Sequence, residues 1–328
     1  MTTLVSAAGS GASADTTPPV LAEVVRSGFT EGRHRGSLVV LDRDGGVEWA
    51  LGDATAPVFP RSCNKPMQAA AVLRAGVELS GERLALAAAS HSGEPFHLEL
   101  VKAMLAEHGL IEDDLGCPPD LPMDREEHER CLAAGARPSR IAMNCSGKHT
   151  AMLAACAVNG WSRADYLDPG HPLQALVREG VEAATGEPVA HTGIDGCGAP
   201  LFAFSLTGLA RAFRAHVLAE PGTPERRVAD AMRAHPEYVA GTRRIDTWLM
   251  REVPGTLAKV GAEAVQAVAL PDGRALAFKI EDGGQRALGP ILARVLERMG
   301  VDSPVLARIA DAPLLGGGER VGEIRATF

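Results

Sequence analysis

Ser62-Cys63-Asn64-Lys65 places a hydroxyl and a primary amine three residues apart where helical periodicity begins, so one turn brings both to one face. A serine hydroxyl attacks a carbonyl only when a neighbouring base takes its proton. A lysine serves as that base only if burial or a second cation lowers its pKa. The same helix start offers backbone N–H groups, that of Ser62 among them, to an oxyanion. Taken alone, the motif equally describes an N-capping serine with an exposed lysine one turn on. Chemistry therefore needs further polar groups brought from elsewhere in the chain.

Four other segments carry such groups. Ser90-His91-Ser92-Gly93-Glu94 follows the apolar run Leu84–Ala89 and suits a pocket wall. Its bland alternative is a helix end stopped by Gly93, with His91 on the last carbonyls. Lys259-Val260-Gly261-Ala262 reads as a strand in which the glycine lets a substrate lie close to the backbone, or as a solvated edge with an ordinary lysine. Asn144-Cys145-Ser146-Gly147-Lys148-His149 and Asp195-Gly196-Cys197-Gly198 each set a cysteine beside glycine in a loop. Two thiolates fill half of a tetrahedral zinc shell, with Lys148, His149 or water for the rest. The alternatives are two buried thiols, or a disulfide that a reducing compartment disfavours.

The elements that must position these residues are strands at both ends with helices between. Val20–Val25, Ser37–Leu41 and Val47–Leu51 read as strands, the last two joined through Asp44-Gly45-Gly46. Apolar residues from Lys65 to Leu105 recur at helical intervals, and a proline-rich loop spans Glu112 to Asp124. Helices are predicted near Asp124–Gly135, Lys148–Val158, Pro172–Ala184 and Pro224–His235. Thr256–Val260, Ala264–Leu270 and Ala275–Ile280 read as strands with a turn at Pro271-Asp272-Gly273, followed by a helix over Gln285–Met299. This pattern predicts one α+β domain over residues 20–328, its terminal segments sharing an antiparallel sheet. Met1 to Pro19, rich in Ala, Gly, Ser and Thr without a basic or apolar region, is expected to be an unstructured tail rather than a signal peptide.

Composition narrows the function. The 328 residues are 46% apolar, enough for a sizeable core, and 41 acidic against 33 basic side chains give a net charge of −8 that repels phosphate backbones and anionic lipid. Aromatics at 4% are too few for base-stacking platforms. No apolar run is long enough to span a membrane. Cys63, Cys117, Cys131, Cys145, Cys156 and Cys197 are too sparse for a disulfide scaffold and read as thiols in a cytoplasmic protein.

In order, Phe59-Pro60-Arg61-Ser62-x-x-Lys65, Ala89-Ser90-His91-Ser92-Gly93-Glu94, Asn144 to His149, Asp195-Gly196-Cys197, Ala240-Gly241-Thr242-Arg243-Arg244-Ile245-Asp246-Thr247 and Lys259-x-Gly261-Ala262-Glu263 resemble the thermolabile, rhizobial-type asparaginase II family. The likeness runs from about Val20 to the C-terminus. It implies a fold similar to serine β-lactamases and serine-dependent glutaminases, a homodimer, and hydrolysis of L-asparagine to L-aspartate and ammonia. It further implies two couples, Ser62 with Lys65 and Ser90 with Lys259, and a zinc ion held by Cys145, Lys148 and Cys197. As a zinc ligand, Lys148 must be deprotonated, which a neighbouring dication favours. Ser92 stands where the second β-lactamase motif has Asn, and Val260 replaces the hydroxyl residue of K-T-G, which argues against a penicillin substrate.

Amide chemistry assigns roles to these residues. Ser62 is the preferred nucleophile and Lys65 its base, with the backbone N–H groups of Ser62 and Ala262 receiving the oxyanion. Ser90 and Lys259 relay the proton, and Arg61 and Asp195 are the expected partners of the carboxylate and ammonium of a zwitterionic substrate. A glutaminase or other small-amide hydrolase differs only in pocket depth, one methylene being worth about 1–3 kcal/mol. A non-catalytic, zinc-responsive amino-acid-binding protein is the alternative of another class, and it leaves the Ser62/Lys65 spacing without a purpose.

Overall fold

The computed structural model describes residues 17–328. The tail expected over 1–19 thus falls outside the described residues except at its last three positions. There Pro18 O accepts from Arg35 Nη1 at 2.8 Å and Pro19 O from the Gly36 N–H at 3.1 Å.

Among the described residues, eleven strands form two sheets. The larger takes β1 (Val20–Arg26), β2 (Phe29–Leu41), β3 (Val47–Leu51), β7 (Leu257–Gly261), β8 (Val265–Ala269), β9 (Ala275–Ile280), β10 (Pro313–Gly316) and β11 (Glu319–Ala326). Its order is β10-β11-β1-β2-β9-β8-β7, with β3 on β2, and every pairing is antiparallel. Ala22 pairs Ala326, so the two ends of the chain share the sheet, as the sequence predicts. A small sheet joins β4 (Pro57–Val58), β5 (His191–Ile194) and β6 (Pro200–Ser205) in the order β4-β6-β5.

The helices are α1 (Lys65–Arg74), α2 (Gly81–Ala87), α3 (Pro95–Glu107), α4 (Arg125–Ala133), α5 (Ser146–Asn159), α6 (Pro172–Thr185), α7 (Leu206–Leu218), α8 (Pro224–Ala234), α9 (Pro236–Val239), α10 (Ile245–Glu252), α11 (Leu288–Arg298) and α12 (Val305–Ala310). Leu38 to Leu41 are wholly buried without alternation, the mark of a strand covered on both faces. Helix α7 packs on β2, β8 and β9, while α11 lies against β1 and β11. Helices α1, α2, α5, α6 and α8 form the helical block beside the sheet. The α+β architecture is the one the sequence predicts.

Two differences bear on the site. The helical region from Lys65 to Leu105 divides into three helices, and Ser90 to Glu94 lie between α2 and α3. His91 is not held at a helix end, because α2 closes at Ala87. The His91 N–H donates to Asn144 O at 3.0 Å, and its Nε2 lies 2.8 Å from Ser146 Oγ. All six cysteines are free thiols, so Cys145 and Cys197 form no disulfide. No described helix is long and apolar enough to cross a membrane.

Candidate active site

The sheet and the helical block meet where four sequence motifs converge. Ser62 sits in a single 3₁₀ turn, Arg61–Asn64, that runs straight into α1. Pro66, in the first turn of α1, costs no hydrogen bond there and pre-sets the helical φ. Strand β7, the sheet's edge, presses on this turn, and a Cβ at Gly261 would stand 2.6 Å from Pro60 O. From the other side α5 closes on α2 at Gly147, where a Cβ would meet Leu86 Cγ and O at 2.6 Å. Glycine at these two positions lets the motifs approach.

Three of the expected catalytic side chains form one buried chain. Lys65 Nζ donates to Ser90 Oγ at 2.9 Å, to Ala89 O at 2.5 Å and to Cys145 Sγ at 3.1 Å. Lys259 Nζ donates to the same Ser90 Oγ at 3.0 Å and to Val260 O at 2.7 Å. Ser90 therefore lies between two primary amines, each at most 1% exposed. Burial lowers the Lys259 pKa to about 8; the Lys65 charge lowers it too, and Asp246 opposes the shift. The expected couple of Ser90 with Lys259 is a hydrogen bond. That of Ser62 with Lys65 is not one here, since the three acceptors of Lys65 lie on other segments. Ser62 is half-buried on the cleft wall, and its backbone carbonyl accepts the Lys65 N–H one turn on.

Above the chain opens a cleft of about 670 Å³, lined by Ser62, Ser90, Cys145, Asp195, Arg244 and Ala262 among others. Arg61 holds φ at +51°, a conformation costly for a residue with a Cβ. Its side chain is fixed by Asp195, whose Oδ1 accepts from Arg61 Nε at 2.8 Å, and more loosely by Glu263 at 3.9 Å. The two residues expected at opposite ends of a zwitterion are thus paired with each other. Asp195 Oδ2 keeps only a 3.9 Å contact with Cys197 Sγ.

A second buried cluster borders the cleft. Cys145 precedes α5, Lys148 lies in its first turn, and Cys197 lies in the loop between β5 and β6. Lys148 Nζ donates to Cys197 Sγ at 3.0 Å, and the Cys145 thiol donates to Asn144 Oδ1 at 2.9 Å. The neighbouring Cys197 sulfur, with burial, pushes Cys145 well above a normal thiol pKa. Cys145, with Lys148, draws Cys197 far below it. Burial disfavours the Lys148 charge, but the Cys197 and Cys145 sulfurs, with Asp195, together outweigh it and raise the lysine pKa. His149 Nδ1 lies 2.6 Å from the Tyr166 hydroxyl, while its buried Nε2 has no hydrogen-bond partner.

Two sulfurs and an amine gathered in one dry spot fit the soft N/S donor set that zinc prefers. Among the described residues no three His, Cys, Asp or Glu side chains are arranged to hold a metal ion. The set here contains two thiols and takes its third donor from an amine.

Asp246, which no sequence pattern gives a role, is 1% exposed. Its Oδ2 accepts from the Val260 N–H at 2.8 Å and its Oδ1 from Gln266 Nε2 at 3.1 Å, so it fixes the strand that carries Lys259. Its signal in the sequence is its place in the Ala240 to Thr247 segment, which has no other claim on an acidic residue.

Among curated proteins none matches the chain. Solved structures similar to it include a β-lactamase from Mycobacterium bovis, at 18% identity and a TM-score of 0.46, over 81% of this chain and 95% of that one. Mglu in its native form is 16% identical with a TM-score of 0.44, over 81% of this chain and 64% of that one. EstCE1, a hydrolase with promiscuous acyltransferase activity, is 14% identical with a TM-score of 0.42, over 76% and 91% of the two chains. The sequence model of the family described as L-asparaginase II matches residues 22–326, nearly the whole of the described chain. The chain thus belongs to the L-asparaginase II family, and it is a hydrolase that acts on amides.

Proposed function

We propose that the protein hydrolyses L-asparagine to L-aspartate and ammonia through an acyl-serine. The observation that carries this reading is the hydrogen-bonded chain Lys65–Ser90–Lys259 at the base of a cleft that also presents Ser62. Lys259 reaches its neutral form at about pH 8. Once neutral, it accepts the hydroxyl proton of Ser90 as Ser90 accepts one from Lys65, which leaves Lys65 neutral. Lys65 then takes the proton of Ser62 as Ser62 Oγ bonds to the amide carbon, and the N–H groups of Ser62 and Ala262 receive the oxyanion. Collapse breaks the C–N bond, and the proton on Lys65 leaves with ammonia. Water, deprotonated by the same amine, releases L-aspartate and restores Ser62. Asp195, through the oxygen not engaged with Arg61, faces the substrate ammonium.

A second reading makes Ser90 the nucleophile, and its two lysine contacts favour it. Ser62 is preferred because it is half-buried on the cleft wall, whereas Ser90 is 5% exposed and held from both sides. Mass spectrometry after rapid quench with L-asparagine distinguishes them. The acyl adduct is expected in Ser90→Ala and not in Ser62→Ala, and the reverse pattern transfers the attack to Ser90. Ammonia release from L-asparagine against L-glutamine tests the substrate, and equal or higher kcat/KM on glutamine makes the protein a glutaminase.

Cys145, Lys148 and Cys197 would hold a zinc ion beside this cleft. Bound there, zinc would supply a positive charge and Lewis acidity at the edge of the substrate site. Thiols and ammonium must lose protons to bind it, so its uptake releases acid. Metal content of the purified protein, compared with Cys197→Ala, tests this. A homodimer follows from the family resemblance, and sedimentation equilibrium tests it; a cytoplasmic location is the reading of the cysteine usage.

A further inference from the structure

We infer that Arg244 binds the α-carboxylate of the amino-acid substrate. Arg244 lines the cleft together with Ser62 and Ser90 and is half-buried. In a chain with 41 carboxylate residues, its guanidinium has no carboxylate within ion-pair distance among the described residues. Its neighbours differ. Arg243 is clamped by Asp124 at 2.6 and 2.9 Å and approached by Glu126 at 3.3 Å, and Arg61 is clamped by Asp195. The side-chain contact of Arg244 is to Met123 Sδ at 2.8 Å, and a thioether is a weak acceptor that neutralises nothing.

The backbone holds this cation in place. Arg244 is the N-cap of α10, and its carbonyl accepts the Trp248 N–H at 3.1 Å. Trp248 Nε1 returns a hydrogen bond to Thr242 O, and Asp246, two residues on, grips the Val260 N–H. Arg244 is thereby registered to the strand that carries Lys259, and its charge is felt at that amine. A fork of N–H donors on a fixed stem, facing a cleft and left without a counter-ion, matches a planar carboxylate in bidentate geometry. Arg61, with its Nε committed to Asp195, instead positions the carboxylate that meets the ammonium. The two ends of the zwitterion are thus received by Arg244 and by the Arg61–Asp195 pair.

This assignment rests on the amino-amide reading, but its test does not need turnover. Calorimetric titration of the full-length protein with L-aspartate is compared between wild type and Arg244→Met, with thermal melting to verify the fold. Affinity is expected to fall about 30-fold or more while the melting temperature stays within about 2 °C. In steady-state assays KM for L-asparagine is expected to rise by a similar factor with kcat within about threefold, a split that general disruption would not give. Affinity and KM within threefold of wild type overturn the assignment, as does wild-type protein that fails to bind L-aspartate. If wild type binds L-aspartate and loses it on Arg244→Met yet never releases ammonia from L-asparagine, the carboxylate site stands and the asparaginase reading falls.

Discussion

Lys259 and Lys148 are both buried, at 0% and 2% exposure, yet their protons are held with opposite firmness. Lys259 is drawn down to about 8, while Lys148 is pushed above the usual lysine value. Burial penalises either charge, so the difference lies in what each amine faces. Lys259 meets a hydroxyl and a backbone carbonyl, with the Lys65 ammonium just beyond Ser90. Lys148 meets the Cys197 sulfur at 3.0 Å. The first amine is placed to give up a proton near neutral pH, and the second to keep one until a stronger cation displaces it. Within one protein, then, burial sets the stakes and the partner's charge decides the outcome.

The comparison breaks most sharply at the atom that links Lys259 to Lys65. Ser90→Ala removes the hydroxyl of the proposed proton relay, and kcat on L-asparagine should fall roughly a thousandfold. Zinc content should stay as in wild type, because Cys145, Lys148 and Cys197 do not depend on Ser90. Activity within tenfold of wild type would mean that the two amines work without the bridge.

A smaller effect concerns stability, and its sign differs between the two amines. A lysine whose folded pKa is lowered carries a penalty below that pKa, relieved as pH rises from about 8 toward the ordinary 10.5. One whose folded pKa is raised adds stability that is complete below 10.5 and is lost above its own pKa. Lys259→Met should therefore stabilise the protein by about 1 kcal/mol at pH 6.5, and by less at pH 9.5. Lys148→Met should cost metal-free protein about 2 kcal/mol at both pH values, because it strips Cys197 of its cation. Urea unfolding of both variants at the two pH values checks the pair, and changes of the same sign would remove the contrast.

Residue types were more legible in the sequence than their pairings. Ser62, Lys65, Ser90 and Lys259 stand out as hydroxyls and amines beside glycine or at helix starts, and all four do meet the cleft or the chain beneath it. Helical spacing predicts a Ser62–Lys65 contact, because one turn is the only geometry that spacing knows. The Lys65 side chain instead crosses to Ala89 and Ser90, and to Cys145 80 residues on, acceptors delivered by two other segments. Arg61 and Asp195 likewise read as separate binding groups, since nothing local reveals a bond across 134 residues. The same limit applies to the elements. Strand β2 begins at Phe29 rather than Ser37, because its first half, with Glu31, Arg33 and Arg35, is half-exposed and lacks an apolar run. Strand β11, Glu319–Ala326, is similarly polar and is held by pairing with β1 and β10 rather than by its own pattern.

The finest adjustment of the contrast lies in Asp246, which touches neither lysine ammonium. Its oxygens are spent on the Val260 N–H and on Gln266, yet its charge lies close enough to Lys259 to hold that pKa up against burial. Asp246→Asn retains an acceptor for the Val260 N–H and removes the charge. The Lys259 pKa should then drop further, and the rise of kcat/KM with pH, expected near 8 in wild type, should move to lower pH by roughly half a unit to one unit. At pH 6.5 the variant should consequently match or exceed wild type, since more of its Lys259 is neutral there. A variant that loses activity equally at every pH would show that Asp246 serves only to hold the strand. A profile displaced to higher pH would mean that the neutral amine is not supplied by Lys259.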